Sequence, residues 1–358
     1  MSGDSETRRR DPARGRPMPG RPSRRFLLAA LVLGAAAVIG CRAASAQDFY
    51  RGKTMTLLAG QPPGGGIDSE MRLVARFLGR FIPGEPSILP MNMQGAGGIV
   101  LGNHLYGVAK PDGLTLGMPG RTGFALAPVI SAAETKYDLR RFTWIGSSAS
   151  SNFVLWIRRE ANIRSFDDLR SAQRPIVIAG SGSTTANTIM PEVLARYEKL
   201  PLKVVRGYPG LGDAVLAVER GEADGVLCQK ASLRGDMISS GAMVPIFQVM
   251  ATEPGVALLD DIVTDRREKA LLEMLSAPQR LGLPLIGPPC VPDDRTLILR
   301  RSYLDMVASA DYQAEAMKRG LDLGQPNTGE ELARFVAAKL VAFPAETIAE
   351  YRGYVDRR

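Results

Sequence analysis

Leu57-Leu58-Ala59-Gly60-Gln61-Pro62-Pro63-Gly64-Gly65-Gly66-Ile67-Asp68 sets a glycine run between an apolar stretch and an amphipathic segment. In the segment that follows, Met71, Val74, Ala75, Leu78 and Phe81 recur at helical spacing, with Glu70, Arg72, Arg76 and Arg80 assigned to the other face. The pattern reads as a strand over 54–59, a glycine turn, and a helix over 68–81. Three glycines at such a handover leave backbone N–H groups uncovered at the positive end of a helix, which is an anion site made of backbone. A second cluster, Gly95-Ala96-Gly97-Gly98, leads into another apolar stretch with the same logic. Glycines at a strand-to-helix turn also serve tight packing alone, and that reading stays open beside the functional one. Consecutive glycines without an acidic residue about twenty positions on do not make a dinucleotide fingerprint, and no Gly-Lys-Ser or Gly-Lys-Thr marks a P-loop.

A third loop, Gly180-Ser181-Gly182-Ser183-Thr184-Thr185, follows the apolar run 176–179 and precedes a helical pattern. Its hydroxyls can cap that helix and, with the backbone amides, hold an anion. Further strands are expected over 114–118, 153–157, 225–228 and 244–250. Further helices are expected over 187–197, 210–220, 296–309 and 330–340. Short apolar runs alternating with helical patterns argue for α/β layers with mostly parallel sheets.

The first 46 residues read as an export signal rather than as fold. Eight arginines in residues 1–25 precede an uncharged run from Phe26 to Gly40, and Ala44-Ser45-Ala46 gives a small-residue cleavage site before Gln47. The uncharged run of 15 residues is shorter than the roughly 20 that a spanning helix needs. Arg24-Arg25-Phe26-Leu27-Leu28 resembles a twin-arginine motif, and Val38-Ile39-Gly40-Cys41 resembles a lipoprotein box that would put a lipid on Cys41. A soluble, periplasmic mature chain beginning at Gln47 is the favoured reading. Nine arginines against three acids put +6 of the formal +8 into the segment to be removed, leaving +2. A nucleic-acid partner is therefore unsupported, because it needs a basic face on the folded domain. The remaining 312 residues exceed one typical core, so two domains are expected.

Catalytic chemistry is poorly provided for. Gly-x-Ser-x-Gly is absent, and His104 is the single imidazole, in a stretch that reads as helical. One histidine and two cysteines in the mature chain, Cys228 and Cys290, do not make a metal site. The two cysteines either pair in an oxidising compartment or stay as two buried thiols, the reading favoured here. No cofactor and no enzymatic activity are expected.

Pro62-Pro63-Gly64-Gly65-Gly66-Ile67-Asp68, then Asn92-Met93-Gln94-Gly95-Ala96-Gly97-Gly98, then Lys110-Pro111-Asp112-Gly113-Leu114-Thr115-Leu116 occur in that order. Later come Gly207-Tyr208-Pro209-Gly210 and Gly221-Glu222-Ala223-Asp224. The set resembles the extracytoplasmic solute receptors of tripartite tricarboxylate transporters, the TctC-like or Bug-type binding proteins, over nearly the whole mature chain. The resemblance implies a two-lobed α/β fold of the type II-like, Venus-flytrap kind, with two interdomain crossovers and no enzymatic activity. It implies a monomer that grips a small carboxylate in the interdomain cleft and serves TctA/TctB-like membrane transporter subunits. A receptor presenting its loaded surface to a membrane sensor kinase is the alternative.

Carried over residue by residue, the ligand positions are Gly64, Gly65, Gly66, Ile67 and Asp68; Gly95, Ala96, Gly97 and Gly98; Ser181, Ser183, Thr184 and Thr185; and Tyr208 with Gly210. The family usually has Thr where this chain has Ile67, Asn where it has Ile99, and Lys or a polar residue where it has Pro209. The two isoleucines point to a less hydrophilic ligand, such as an aromatic or branched acid. Lobe 1 is expected to comprise 47–150 plus 252–358, and lobe 2 to comprise 151–251. Asp68 is expected at or just before the first turn of a helix starting near Ser69, where it caps amides or shapes the site.

Overall fold

The computed structural model describes residues 48–64, 66–130, 133–148, 152–181, 185–319, 321 and 324–356. The segment read as an export signal, with its expected cleavage site, its paired arginines and Cys41, lies outside the described residues, as do Gly65, Ser183 and Thr184.

Twelve described strands form two six-stranded sheets. In the first, β1 (Thr54–Ala59) pairs in parallel with β2 (Ser87–Asn92) on one side and β3 (Thr115–Met118) on the other. Beyond β3 come β11 (Pro284–Gly287), β4 (Thr143–Ser147) and β12 (Asn327–Thr328), each antiparallel to its neighbour. In the second sheet, β5 (Val154–Arg158) runs antiparallel to β8 (Gly225–Cys228) and β9 (Met243–Gln248). There β6 (Ile176–Ser181) is parallel to β7 (Leu202–Tyr208) and β8, and β10 (Ala257–Leu258) is parallel to β9.

These pairings fix directions. Strands β1 to β4 all point the same way, so Ala59, Asn92, Met118 and Ser147 end on one edge. In the second sheet Val154 pairs with both Cys228 and Gln248, so β5 begins on the edge where β6 to β9 end. Six residues, 148–153, join the end of β4 to the start of β5, which is at most about 25 Å of extended chain. The carboxyl edges of the two sheets therefore face each other, the place where open α/β sheets bind ligands. The arrangement is a two-lobed α/β fold.

The first lobe's helices include α1 (Gly66–Phe77), α2 (Ile99–Gly107) and α3 (Thr122–Leu126). After β4 follow α4 (Phe166–Arg170), α5 (Ala186–Tyr197), α6 (Leu211–Glu219), α7 (Gly235–Ser239), α8 (Leu259–Ile262) and α9 (Arg266–Arg280). The chain closes with α10 (Asp293–Ala308), α11 (Ala310–Lys318), α12 (Gly329–Phe335) and α13 (Ala345–Val355). After the second crossing, β11 and β12 rejoin the first sheet, while α9 packs on α5 and α13 packs on α9. Glu350 of α13 accepts a hydrogen bond from Tyr197 at 2.8 Å. One core cluster runs from Phe124 and Trp144 through Leu271 and Leu275 of α9 to Leu155 and Ile178. A second fills the space between the first sheet and α1, α10 and α11.

The two crossings are tied together by amide side chains. Asn152 Nδ2 donates to Met250 O at 2.6 Å and Thr252 Oγ1 at 2.7 Å, and Asn152 Oδ1 accepts from Met250 N at 2.8 Å. Gln248, 2 % exposed, accepts from Thr252 N and Glu253 N and donates to Glu253 O and Val256 O. Every polar atom of that buried amide is satisfied by backbone, the arrangement that fixes a loop in one shape.

Several expectations change. The first helix starts at Gly66, so Asp68 lies inside its first turn rather than before it. Glu70, assigned to the polar face, is 1 % exposed, because α11 packs against that side of α1. Both cysteines are free, yet only Cys228 is buried, its thiol pushed up to about 12 by burial. Cys290 is exposed. Among the described residues no helix is long and apolar enough to cross a membrane.

Candidate ligand site at the facing strand ends

Three loops leave the carboxyl edge of the first sheet and interlock. Gly60 and Gly98 both lie against Pro119: an added Cβ would meet Pro119 O at 2.5 Å and 1.9 Å respectively. Gly98 also has φ +99°, in the left-handed region, so both its conformation and its neighbour require glycine. A Cβ on Gly123 would sit 2.9 Å from Gly97 Cα, and one on Gly120 would sit 3.2 Å from Ile67 Cδ1. The structure thus brings Gly64 to Asp68 and Gly95 to Gly98 together around a third loop, Pro119-Gly120-Arg121-Thr122-Gly123. Sequence reasoning missed that third loop. The signal was present, since it too joins an apolar strand to a helix, but its glycines are separated instead of consecutive.

Asp68 organises the first loop. Its Oδ2 accepts from Gly64 N at 2.9 Å and from Arg72 Nε at 3.0 Å, and its Oδ1 accepts from Asn92 Nδ2 at 2.8 Å. Asn92 Nδ2 also donates to Gln61 O at 3.0 Å, and Asn92 Oδ1 accepts from Arg72 Nη2 at 3.1 Å. Burial works against the Asp68 charge, but Arg72, the Gly64 amide and Asn92 more than offset it and hold the carboxyl below its ordinary value. The Gly64 amide is therefore already engaged by Asp68. What the loop can still offer an anion are the first-turn amides of α1, which have no intrahelical acceptor. Arg72 and Asn92 were not among the expected site residues. Arg72 is four residues after Asp68, the spacing that sets two side chains on one helical face.

The second cluster enters α2 through Gly98 as its N-terminal cap. Ile99 is 8 % exposed and belongs to the core. Its apolar character follows from packing, so the inference drawn from it about a less hydrophilic ligand does not stand. Ile67 is half-buried and packs toward the third loop.

On the second sheet, a bulge between Gly180 and Ser181 pairs Ser181 with Tyr208, joining two of the expected positions. Thr185 caps α5 by position, but its hydroxyl does not bond a helix amide. Thr185 Oγ1 instead donates to Ser181 O at 2.5 Å, which pins the two ends of the loop. Ser181 Oγ donates to Asn187 Oδ1 at 3.0 Å, and Asn187, 5 % exposed, has no partner for its Nδ2 among the described residues. Gly210, in extended conformation, is the cap of α6. The N-termini of α5 and α6 thus leave the carboxyl ends of β6 and β7, as those of α1 and α2 leave β1 and β2. Four helix ends, each favouring negative charge, border the facing edges. Among the described residues no group of His, Cys, Asp and Glu is placed to hold a metal ion. His104 lies on α2, and Ser181 ends β6 in the second sheet.

No known family profile matches the chain, and no curated protein matches it. Solved structures do. A TctC solute-binding protein from Polaromonas aligns with TM-score 0.66 at 15 % identity, covering 86 % of this chain and 100 % of that one. MatC from Rhodopseudomonas palustris, with bound malate, aligns with TM-score 0.55 at 18 % identity over 85 % of this chain and 99 % of its own. A second protein from R. palustris, with adipate, aligns with TM-score 0.54 at 17 % identity over 84 % and 98 %. The fold is that of these solute-binding proteins, and the neighbours are binding proteins rather than enzymes.

Proposed function

We propose that the chain is a periplasmic receptor that captures a small carboxylate between its two lobes and hands it to a membrane transporter of the tripartite tricarboxylate type. The observation that carries the reading is the convergence of glycine loops and helix N-termini on the two facing carboxyl edges, with no metal-binding cluster among the described residues. Backbone amides and helix ends favour a negative group, and two proteins of the same fold hold malate and adipate. The ligand's carboxylate meets the amides at the starts of α1, α2 and α5. Asp68 keeps the first loop in shape from behind, since its own charge opposes an anion. The lobes divide as 47–150 plus 252–358 and 151–251, with closure about the two crossings. Export and removal of residues 1–46 place the receptor in the periplasm as a monomer. Delivery to a membrane partner, rather than catalysis, is the activity that this arrangement serves.

A thermal-shift screen of mono-, di- and tricarboxylates tests this. A ligand that binds only the folded chain raises its melting temperature in proportion to log concentration above the dissociation constant. At least one small carboxylate is expected to raise the midpoint by several degrees at about a hundredfold excess over its dissociation constant. No shift with any small anion, on chain freed of retained ligand by unfolding and refolding, would contradict the proposal.

A further inference from the structure

Two residues past Asp68, α1 turns a second carboxyl into a different environment. Successive helical residues are about 100° apart, so Glu70 projects from the side of α1 away from the loop. It is 1 % exposed, and Tyr312 Oη of α11 donates to its Oε1 at 2.5 Å. Ser148, 2 % exposed and the first residue after β4, lies close enough to Glu70, Tyr303 and Tyr312 to act on all three. Tyr303 of α10 is fully buried and lacks a well-aligned partner of its own. The groups facing Glu70 are thus a phenol from α11, a phenol from α10 and the Ser148 hydroxyl. No Lys, Arg or second carboxylate acts on it from those elements. An unpaired carboxylate in such a place is costly, whereas the acid form has an O–H to give and a phenol to accept from.

The position of Ser148 gives this cluster a consequence. Ser148 opens the stretch that carries the chain from the first sheet to the second. It also lines a cavity of about 710 Å³ with Leu304, Val307 and Gln313 and with Ala231, which follows β8 in the second sheet. On one side Ser148 faces the buried Glu70 carboxyl, and on the other it borders open space that Ala231 also lines. We propose that Glu70 is a positioning residue of the ligand site, whose carboxylic acid clamps α1, and with it the Gly64–Asp68 loop, to Ser148 at the interlobe crossing. The proposal rests on the two-lobed receptor reading, but its test needs no ligand.

Burial pushes the Glu70 carboxyl above its ordinary value, with Tyr312 and Ser148 opposing in part. The clamp is therefore fully present below the carboxyl's value in the opened state and is lost as pH rises through its value in the closed state. Hydrogen exchange of the ligand-free mature chain, corrected for intrinsic rates, reads this between pH 5 and 9. In the wild-type chain, opening of residues 60–72 and of 143–148 is expected to increase together, by about tenfold per pH unit within that window. Glu70→Gln, which mimics the acid form, is expected to flatten both profiles at the low-pH level. Tyr312→Phe is expected to open both segments several-fold at every pH, and it serves where Glu70→Gln does not fold. A wild-type profile flat across the range, or two segments that respond independently, overturns the proposal. Failure of every carboxylate to bind would instead overturn the receptor reading and leave this result standing.

Discussion

Helix α1 holds two carboxylates two residues apart, and its two sides treat them in opposite ways. Asp68 meets a guanidinium, an amide side chain and a backbone N–H, and keeps its charge below the ordinary carboxylate range. Glu70 meets two phenols and a hydroxyl in a dry interior, and burial pushes its carboxyl above the ordinary range. The first holds the glycine loop by charge-assisted hydrogen bonds, and in the clamp proposed above the second holds the helix behind it as a neutral acid. Proximity in sequence says nothing about charge state; the elements packed on each side decide it.

The comparison breaks most visibly at Glu70. Truncation to alanine leaves a void and strands the Tyr312 hydroxyl in the core. The expected loss is about 2–4 kcal/mol, read as a lowered midpoint in urea unfolding with unchanged slope. On the loop side, Asp68→Ala frees Arg72 and the Gly64 amide in a partly solvated place. A smaller loss of about 1–2 kcal/mol is expected in the same experiment at pH 7.

The two groups also part on acidification. The Asp68 value is depressed on folding, so its contribution is present above the ordinary aspartate range and disappears as pH falls through the depressed value. Unfolding midpoints measured from pH 6 to 2 should therefore fall less steeply for Asp68→Asn than for the wild-type chain. An equal slope would show that Asp68 is not held as an ion. The mildest change is Glu70→Gln, expected to alter stability at pH 7 by less than about 1 kcal/mol, because it preserves the neutral shape. A loss as large as that of Glu70→Ala would show that the charged form is the one the fold uses.

Much of the architecture was legible because interior strands, parallel or antiparallel, are short apolar runs. β1, β3, β5, β6 and β8 stand close to where their sequences place them. Edge strands were not legible. β2 carries Pro90 and alternates exposed with half-buried residues, and β7 is nowhere fully buried, so neither reads as an apolar run. Pro90 is tolerable there because Ser87 N and Met93 N point toward β1, which turns the Pro90 nitrogen, three residues from each, to the open side of the edge strand. The site was half legible. Consecutive glycines marked two loops, but the loop from Pro119 to Gly123 and the support from Arg72 and Asn92 depend on contacts between distant segments. Glu70 was read as surface because the helical pattern of α1 alone gives no sign of α11, whose tyrosine lies 242 residues away in the chain.

Titration calorimetry of refolded, ligand-free mature chain with small carboxylates, on wild type and Asp68→Asn side by side, bears most directly on the account. One-to-one binding of at least one acid is predicted, weakened roughly 5- to 150-fold in the variant as the first loop loses an ionic hydrogen bond that shapes it. Absence of heat with every acid would contradict the receptor itself. Binding that is equal in the two proteins within twofold would contradict the role given to the Asp68 loop.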